Sequence, residues 1–304
     1  MDAQSSTRKS TKPDTHQMIT DRIIADLESG TIPWRKPWNA STHTQPVNIR
    51  GTRYHGVNRM TLGFGSAYDC PIWMTFKQAQ EHGGTVNRGE HGSPVVFWRF
   101  LDVTEHDEES GQDKERRIPM ASYSTAFNLR QTSDVRVPEN VAHLLGNQER
   151  PEPIAAADAI IEGYHGAPAL HHGDSRAYYR PSTDSVHMPD SQHFVNVGAY
   201  YATLFHEFGH STGHASRLAR PGVTEPAMFG DHNYSREELV AEMCSAFLCA
   251  DAGIDADASL ISNTAAYIQS WLKVLAGDKR MVLTASSQAQ KAADHITGTA
   301  EPRS

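Results

Sequence analysis

Three histidines and one glutamate lie between residues 204 and 214, in the run LFHEFGHSTGH. His206, Glu207 and His210 form the pattern H-E-x-x-H. On a helix, His206 and His210 lie one turn apart on the same face, so both imidazoles can bind one zinc ion. Glu207 then lies beside the ion, where it can act as a general base toward water. The apolar turn AYYATLF before the run favours a catalytic metal site over two surface histidines.

A catalytic zinc site needs a third protein ligand, and two segments could supply it. His214 continues the spacing, but eight residues advance a helix by about 12 Å, so one straight helix cannot easily surround a tetrahedral ion. The run also departs from the metzincin pattern, in which the third histidine would stand at Ser216. The downstream helix EELVAE is the better source, because it places Glu238 and Glu242 one turn apart.

A second helix that offers a glutamate and another acid four residues later resembles the gluzincin arrangement. This resemblance implies that Glu238 is the third zinc ligand. It also implies that Glu242 hydrogen-bonds a ligand histidine, which fixes the tautomer and orientation of that imidazole. Glu237 is a weaker rival to Glu238, since it does not lie one turn from Glu242. A solvated helix face is the alternative role for these glutamates.

The metal motif lies within a second half of mixed secondary structure. The polar segment 132–153 contains three prolines and no sustained periodicity, so we expect a linker there. The patterns that follow predict a helix over 154–166, two short strands within 176–190, a helix over 197–214, a helix from Ser235 with a Ser235/Glu238 capping box, and a final helix over 265–277.

The first half begins with a polar segment over residues 1–16 that we expect to be a flexible tail. The next stretch, HQMITDRIIADLESG, predicts an amphipathic helix that ends near Gly30. Further along, SPVVFWRFLDVT (93–104) predicts a strand, EHDEESGQDKE a charged hairpin loop, and MASYSTAFNLRQ (120–131) the partner strand.

Aromatic and basic side chains occur together in the first half, as in proteins that stack bases on rings and hold phosphates in a basic groove. Residues 1–100 contain 12 Lys or Arg and 8 Asp or Glu, a net charge of +4, although the whole chain carries −8. Trp73 and Phe76 are further candidate rings, whereas Trp98 and Phe127 lie on presumed strands and are expected in the core. The residues expected to contact DNA are Trp34, Arg35, Lys36, Trp38, Arg53, Tyr54, Asn58, Arg59, Lys77 and Arg88.

The order of PWRKPWN, YHGVNRMTL, WMTFKQAQEHGGTVNRGEHGSPVVFW and AFNLRQT resembles the N-terminal single-stranded-DNA-binding domain of the ArdC-type antirestriction proteins. The later motifs TDSVHMPDSQHF, HEFGHSTGHASRLAR and YSREELVAE resemble the zincin-like domain of the same proteins. The resemblance spans roughly residues 17–275. It implies an antirestriction factor of a mobile element that protects DNA entering a host as a single strand during conjugation.

The composition places limits on this interpretation. Three cysteines are too few for a disulfide scaffold and fit a reducing compartment. The sequence contains no apolar run near the roughly 18 residues of a membrane span, and its N-terminus lacks the apolar core of a signal peptide. We therefore expect a cytoplasmic protein. The net charge of −8 argues against a protein that binds nucleic acid over its whole surface.

These patterns predict a two-domain α+β protein: a tail (1–16), a small α+β single-stranded-DNA-binding module (17–131), a linker (132–153) and a gluzincin-like metallopeptidase domain (154–304). The expected cofactor is Zn²⁺, with Mn²⁺ or another divalent ion as the alternative. The expected partners are single-stranded DNA and an unidentified protein substrate, for which a host restriction component is one candidate. Two other functions stay open, a DNA-binding shield with a structural metal and a nuclease that uses the same metal.

Overall fold

The computed structural model describes residues 14–35, 45–64, 66–107, 112–146, 152–225, 232–254 and 264–299. The helices are α1 (Thr15–Glu28), α2 (Val57–Arg59), α3 (Phe76–Glu81), α4 (Glu139–Ala142), α5 (Pro153–Glu162), α6 (Val197–Ser211), α7 (Pro221–Thr224), α8 (His232–Ala252), α9 (Thr264–Gly277) and α10 (Met281–Thr297). The strands are β1 (Val47–Asn48), β2 (Ile72–Met74), β3 (Thr85–Val86), β4 (Ser93–Asp107), β5 (Gln112–Asn128), β6 (Thr132–Ser133), β7 (Ala169–His172), β8 (Tyr178–Arg180) and β9 (Ser185–Met188). The predicted α+β class is confirmed.

The N-terminal half is built on a four-stranded sheet with the order β1-β2-β5-β4. Strands β4 and β5 pair in antiparallel register from Ser93↔Ala126 to Asp107↔Gln112. Within the described residues, β5 pairs with β2 only at Phe127 and Asn128. Most of the length of β4 and β5 therefore forms a two-stranded ribbon beyond the sheet. The predicted strand pair is confirmed, although both strands run further toward the hairpin than the sequence indicated.

A small apolar core covers one end of this sheet. Ile49, Ile72 and Met74 are buried in it together with Val141 of α4. Val141 belongs to the segment predicted as a linker, and other residues of that segment also pack on this core. Strand β6 pairs with β3 as well. Residues 132–146 are therefore folded onto the N-terminal half, because their valines and leucine bury apolar surface that the proline count alone did not reveal.

The C-terminal half places helices against a three-stranded sheet with the order β7-β9-β8. The central strand β9 pairs parallel with β7 and antiparallel with β8. Helix α8 lies at the centre of the helices, and its residues 237–250 are buried on every side. Such a helix needs neighbours all round, which α5, α6, α9 and α10 supply.

Helix α1 joins the same core as the C-terminal helices. Ile19, Ile23 and Leu27, one turn apart, are buried against it. Thr20 Oγ1 donates a hydrogen bond to the Lys279 carbonyl oxygen at 2.8 Å, across more than 250 residues of sequence. Gly30 adopts φ +80°, a left-handed conformation that ends the helix as predicted.

Two predictions about the C-terminal helices were wrong. Helix α8 begins at His232 rather than at Ser235, so the Ser235/Glu238 capping box does not form. Ser235 lies inside the helix instead, and its Oγ is 3.3 Å from that of Ser270. The helix over 265–277 is not the final one, because α10 follows it. The sequence of α10 is rich in Ala, Ser and Gln, so its average apolar character is low although its buried residues share one face.

No helix in the described ranges combines the length and the apolar character that a membrane crossing requires.

Candidate metal centre

The H-E-x-x-H residues lie in the last two turns of α6. The helix begins after Asn196, whose Oδ1 accepts a hydrogen bond from the Ala199 amide at 2.8 Å. As the spacing predicts, the His206 and His210 rings lie on one face, with centroids 4.7 Å apart. Their Nε2 atoms approach to 3.1 Å. Both imidazoles therefore point toward one position beside the helix.

Helix α8 brings Glu238 to the same position. Glu238 Oε2 lies 3.6 Å from His206 Nε2, and Glu238 Oε1 lies 3.6 Å from His210 Nε2. Helices α6 and α8 come this close because Gly209 faces α8. A Cβ on Gly209 would lie only 3.1 Å from the Ala241 Cα. The glycine of HEFGH thus permits the contact that completes the cluster.

The three donor atoms fit a divalent metal ion. In a tetrahedral site with bonds of about 2.0–2.2 Å, ligand atoms lie roughly 3.3–3.6 Å from one another. The two Nε2 atoms are 3.1 Å apart, and each lies 3.6 Å from one of the two Glu238 carboxylate oxygens, Oε2 for His206 and Oε1 for His210. Within the part of the chain that the structure describes, His206, His210 and Glu238 form the one group of three such side chains able to hold an ion. Two imidazoles and a carboxylate are the donor set expected of a catalytic zinc site.

Each histidine of the cluster has its own carboxylate behind it. His206 Nδ1 lies 3.4 Å from Glu242 Oε1, and His210 Nδ1 lies 3.4 Å from Glu237 Oε1. A carboxylate at Nδ1 leaves Nε2 free to bind a metal and fixes the ring orientation. Glu242 therefore lies where the gluzincin resemblance places it. Glu237, considered from the sequence as a rival ligand, lies behind His210 instead.

Arg220, which the sequence did not indicate, holds Glu237 in place. Its Nε and Nη2 donate to the two carboxylate oxygens of Glu237 at 2.9 and 2.6 Å. It also donates to Thr212 Oγ1 at 2.7 Å and to the Gly209 carbonyl oxygen at 2.8 Å. Both charged side chains are buried. An arginine 10 residues after His210 carries no recognised spacing, so its role becomes visible only in the folded chain.

The carboxylates around the cluster favour protonation of its two histidines. Burial by itself disfavours protonation of His206, but the Glu238 hydrogen bond and the charges of Glu242, Glu207 and Glu238 outweigh it and raise the pKa of His206 to about 9. The pKa of His210 is raised too, because Glu238 and Glu237 outweigh its burial. Burial also disfavours the ionised form of Glu238, yet the adjacent histidines lower its pKa to about 2.

Glu207 and His214 occupy different surroundings. Glu207 is buried in α6 beside the cluster, and its charge contributes to the raised pKa of both cluster histidines. His214 lies beyond the end of α6, where its Nδ1 is 2.8 Å from Ser216 Oγ. It is not part of the three-residue group. The third histidine of the opening run therefore lies apart from the site that the other two form.

Four of the residues expected to contact DNA have structural roles instead. Trp34 is 1% exposed and packs edge-on against Trp271, with ring centroids 5.2 Å apart, so its ring cannot stack a base. Arg59 is buried, and its Nη2 donates to the Phe247 carbonyl oxygen at 2.9 Å and to Asp251 at 2.6 Å. These two expectations were wrong because both side chains fill the contact with the C-terminal helices.

Asn58 and Tyr54 support the N-terminal sheet. Asn58 exchanges hydrogen bonds with the backbone of Val96, donating to its carbonyl oxygen at 2.6 Å and accepting from its amide at 2.7 Å. Both polar ends of the Asn58 amide are thereby occupied. Tyr54 packs against a small apolar cluster, and this burial raises its pKa to about 12. The Asn58 amide and the Tyr54 ring are thus both used within the fold of the N-terminal half.

The remaining candidates are more open. Arg53, Lys77 and Arg88 are exposed. Arg35 ends a short 3-10 helix that starts at Pro33. Lys36 and Trp38 lie outside the described residues.

The aromatic residues divide differently from the expectation. Trp73 is buried and Phe76 is exposed. Trp98 was expected in the core, but 53% of it is exposed, because it lies on the part of β4 that extends beyond the sheet. Phe127, at the end where β5 joins β2, is half-buried.

Two family models match successive parts of the chain. A model of zincin-like metallopeptidases matches residues 155–288, which contain the whole cluster. A model of the N-terminal domain of anti-restriction factor ArdC matches residues 13–127. The crystal structure of antirestriction ArdC protein from the R388 plasmid, in its metal-free form, is 38% identical with a TM-score of 0.71, covering 93% of this chain and 96% of that one. The chain belongs to the ArdC antirestriction family.

Further relatives extend this family assignment. The Mn(II)-bound structure of the same R388 protein is 36% identical with a TM-score of 0.72, covering 94% of this chain and 97% of that one. The uncharacterized protein y4eC of Sinorhizobium fredii is 37% identical over 93% of this chain and 92% of its own length. The DNA primase TraC of Escherichia coli is 36% identical over 92% of this chain, which spans only 27% of the primase.

Proposed function

We propose that this chain is an antirestriction factor of a mobile element that binds single-stranded DNA and carries a metal-dependent peptidase site. The observation that carries the peptidase assignment is the cluster of His206, His210 and Glu238, whose donor atoms lie 3.1–3.6 Å apart. Its similarity to an antirestriction protein and to part of a DNA primase supports a role on DNA. We further propose that it acts in the cytoplasm, where incoming DNA meets host restriction.

In this proposal His206, His210 and Glu238 hold the ion, and Glu242 and Glu237 keep the two imidazoles oriented through their Nδ1 atoms. Zinc is the expected ion, and the Mn(II)-bound relative supports manganese as the alternative. Such an ion, when bound, supplies a Lewis acid that polarises an amide carbonyl and acidifies water. Glu207 takes a proton from the attacking water and passes it to the departing amine. Because Glu207 is buried beside the cluster, its charge interacts more strongly with the cluster than it would in water.

The ligand assignment is tested by metal content. Glu238→Ala and His210→Ala should each lower the bound metal per chain after dialysis, measured by mass spectrometry of the ion. His214→Ala is the matched control, since it removes an imidazole from the same run without touching the cluster. If His214→Ala loses the metal and Glu238→Ala retains it, the ligand set is wrong.

The role of the site is tested by protection of DNA in cells. Unmodified conjugative DNA is transferred into a host with an active restriction system, and survival is compared for wild type, Glu207→Gln and His214→Ala. We expect Glu207→Gln to abolish protection while its metal content and DNA binding stay at wild-type levels. Full protection by Glu207→Gln would contradict the peptidase and favour a DNA-binding shield with a structural metal. Metal-dependent cleavage of a labelled single strand would instead indicate a nuclease.

A further inference from the structure

The ribbon of β4 and β5 exposes large aromatic side chains. Trp98 is 53% exposed and Phe100 is 56% exposed. Both lie within the part of β4 that pairs with β5 beyond the sheet. Exposed apolar groups that adjoin one another on a soluble protein usually mark a surface that binds something. Neither ring has a role in the metal centre, and Trp98 was expected in the core.

The strand register places these two rings on one face. Side chains two residues apart on a strand share a face and lie about 6.6–6.8 Å apart. Trp98 is opposite Ala121, and Phe100 is opposite Pro119, so the small β5 side chains leave about half of each ring exposed. The His16 ring of α1 lies beside Trp98, with centroids 6.1 Å apart. The Arg117 guanidinium lies over the Phe100 ring, 4.7 Å from its centroid. Trp98, Phe100 and Arg117 together form what we call the aromatic face.

The part of the ribbon that carries the aromatic face has an excess of positive charge, which suits an anion. Residues 95–103 and 116–124 contain three arginines and one acid. Arg117 lies on the aromatic face with Asp102, whose Oδ1 is 3.9 Å from the Arg117 Nε, whereas Arg99 and Arg116 lie on the opposite face of the same ribbon. This local excess of positive charge occurs in a chain with a net charge of −8. The segment between, 104–115, contains six acids and one lysine, so an anionic partner would stay near the sheet end of the ribbon.

We infer that the aromatic face stacks successive bases of single-stranded DNA on Trp98 and Phe100, with Arg117 contacting the phosphate between them. This inference rests on the proposed single-strand binding and names the surface that performs it. Rings beside arginines are the combination that binds single strands without sequence preference. In a duplex the bases are already stacked on each other, so their faces are not open to a side chain on the surface of a ribbon. The proposed DNA contacts are therefore on the aromatic face and not at Trp34 and Arg59, which are buried.

The inference is tested by fluorescence anisotropy with a labelled oligo(dT) of about 20 nucleotides, titrated with the full chain. Trp98→Ala should weaken binding by at least about fivefold, and Trp98→Ala/Phe100→Ala by at least about 25-fold, because each stacked base contributes roughly that factor or more. The matched control is Leu101→Ala/Met120→Ala, which removes apolar groups of 44% and 42% exposure from the opposite face of the same ribbon. This control should bind as wild type does.

Two further measurements separate stacking from loss of folding. Trp34, Trp73 and Trp271 are buried, so in a Trp38→Phe background quenching of tryptophan fluorescence by oligo(dT) should come largely from Trp98. Trp98→Phe keeps a ring and should retain most of the affinity while losing most of the quenching. Arg117→Gln should lower the dependence of log K on log salt concentration by about 0.7, the value for one phosphate contact on a single strand.

Each outcome decides between the two proposals. If wild type does not bind oligo(dT), single-strand binding fails and the aromatic face fails with it. If wild type binds and Trp98→Ala/Phe100→Ala binds equally well, only the aromatic face is wrong. If wild type forms dimers in solution that Trp98→Ala/Phe100→Ala abolishes, without any change in oligo(dT) affinity, the face is an interface between two copies and the inference is overturned.

Discussion

Removal of Arg220 provides a quantitative test of how the metal centre is supported. The Arg220 and Glu237 side chains are 5% and 7% exposed, so their ion pair is not screened by solvent. Arg220→Met leaves the Glu237 carboxylate buried without its cation. It also removes the donors to Thr212 and to the Gly209 carbonyl oxygen. Breaking a buried ion pair from one side costs about 3–5 kcal/mol.

A cost of this size is a large part of the roughly 5–15 kcal/mol that stabilises a typical domain. Arg220→Met should therefore shift urea unfolding, followed by circular dichroism, by about 3–5 kcal/mol. Glu237→Gln should also destabilise, because it leaves the guanidinium without its counter-charge. The double variant Arg220→Met/Glu237→Gln removes both charges and should be more stable than the sum of the two single costs predicts, by about 1–3 kcal/mol.

The same variants should weaken metal binding through His210. Glu237 lies at His210 Nδ1, and loss of such an outer carboxylate typically lowers metal affinity about 10–100-fold. Competition with a chromophoric chelator measures this affinity directly in folded protein at low temperature. The reasoning would be refuted by two results together. The cost of the double variant would equal the sum of the two single costs, and Glu237→Gln would bind metal as tightly as wild type. Arg220 and Glu237 would then act independently of each other and of His210.

Three further outcomes follow from single contacts. Gly209→Ala places a methyl group 3.1 Å from the Ala241 Cα, so overpacking of about 1–3 kcal/mol should exceed the gain of about 1 kcal/mol in helix propensity. A net gain in urea stability would show that α6 and α8 can separate freely. The Asp184 carboxylate accepts hydrogen bonds from the Arg217 guanidinium, and these outweigh burial and hold the Asp184 pKa below its usual value. This pair should stabilise the fold above the unfolded-state pKa of Asp and lose that contribution as pH falls through the folded-state pKa. Acid unfolding of Asp184→Asn should accordingly be less steep than that of wild type, and an unchanged acid limb would contradict the assignment. His214→Ala should leave the free energy of unfolding in urea within about 0.5 kcal/mol of wild type, because His214 is partly exposed and lies outside the metal cluster. A larger loss would show that its contact with Ser216 stabilises the fold.

The sequence indicated the parts of the metal centre that depend on local spacing. H-E-x-x-H places His206 and His210 on one face because a helix repeats every 3.6 residues. The same rule places Glu238 and Glu242 on one face of α8. The distance between the two helices follows from tertiary packing at Gly209, which no local rule supplies. The role of Arg220 could not be predicted for the same reason, since its partner Glu237 is 17 residues away on another element.

The aromatic residues of the N-terminal half show where composition alone misleads. Tryptophan and arginine are as suitable for a buried contact as for a nucleic-acid surface. Trp34 was therefore assigned to DNA and is buried, whereas Trp98 was assigned to the core and is exposed. The alternation of a strand identifies two faces but does not reveal whether a further sheet or helix covers either one. For β4, exposure depends on where β2 stops pairing with β5, which is a property of the sheet.

Helix α8 explains why Arg59 of the YHGVNR motif belongs to the fold rather than to a DNA surface. Glu238, near the start of α8, contributes to the metal cluster, while Phe247 and Asp251, two to four turns later, receive the Arg59 guanidinium. The Arg59 guanidinium also lies 4.7 Å from the centroid of the Phe247 ring. One helix thus supports both the metal centre and the attachment of the N-terminal half. Because Arg59 is buried in that attachment, a substitution that removes its charge would remove its hydrogen bonds to Phe247 and Asp251 of α8 and disturb both halves together. Loss of protection in such a variant would report on the fold, whereas the exposed Trp98 and Phe100 can be changed without disturbing this contact.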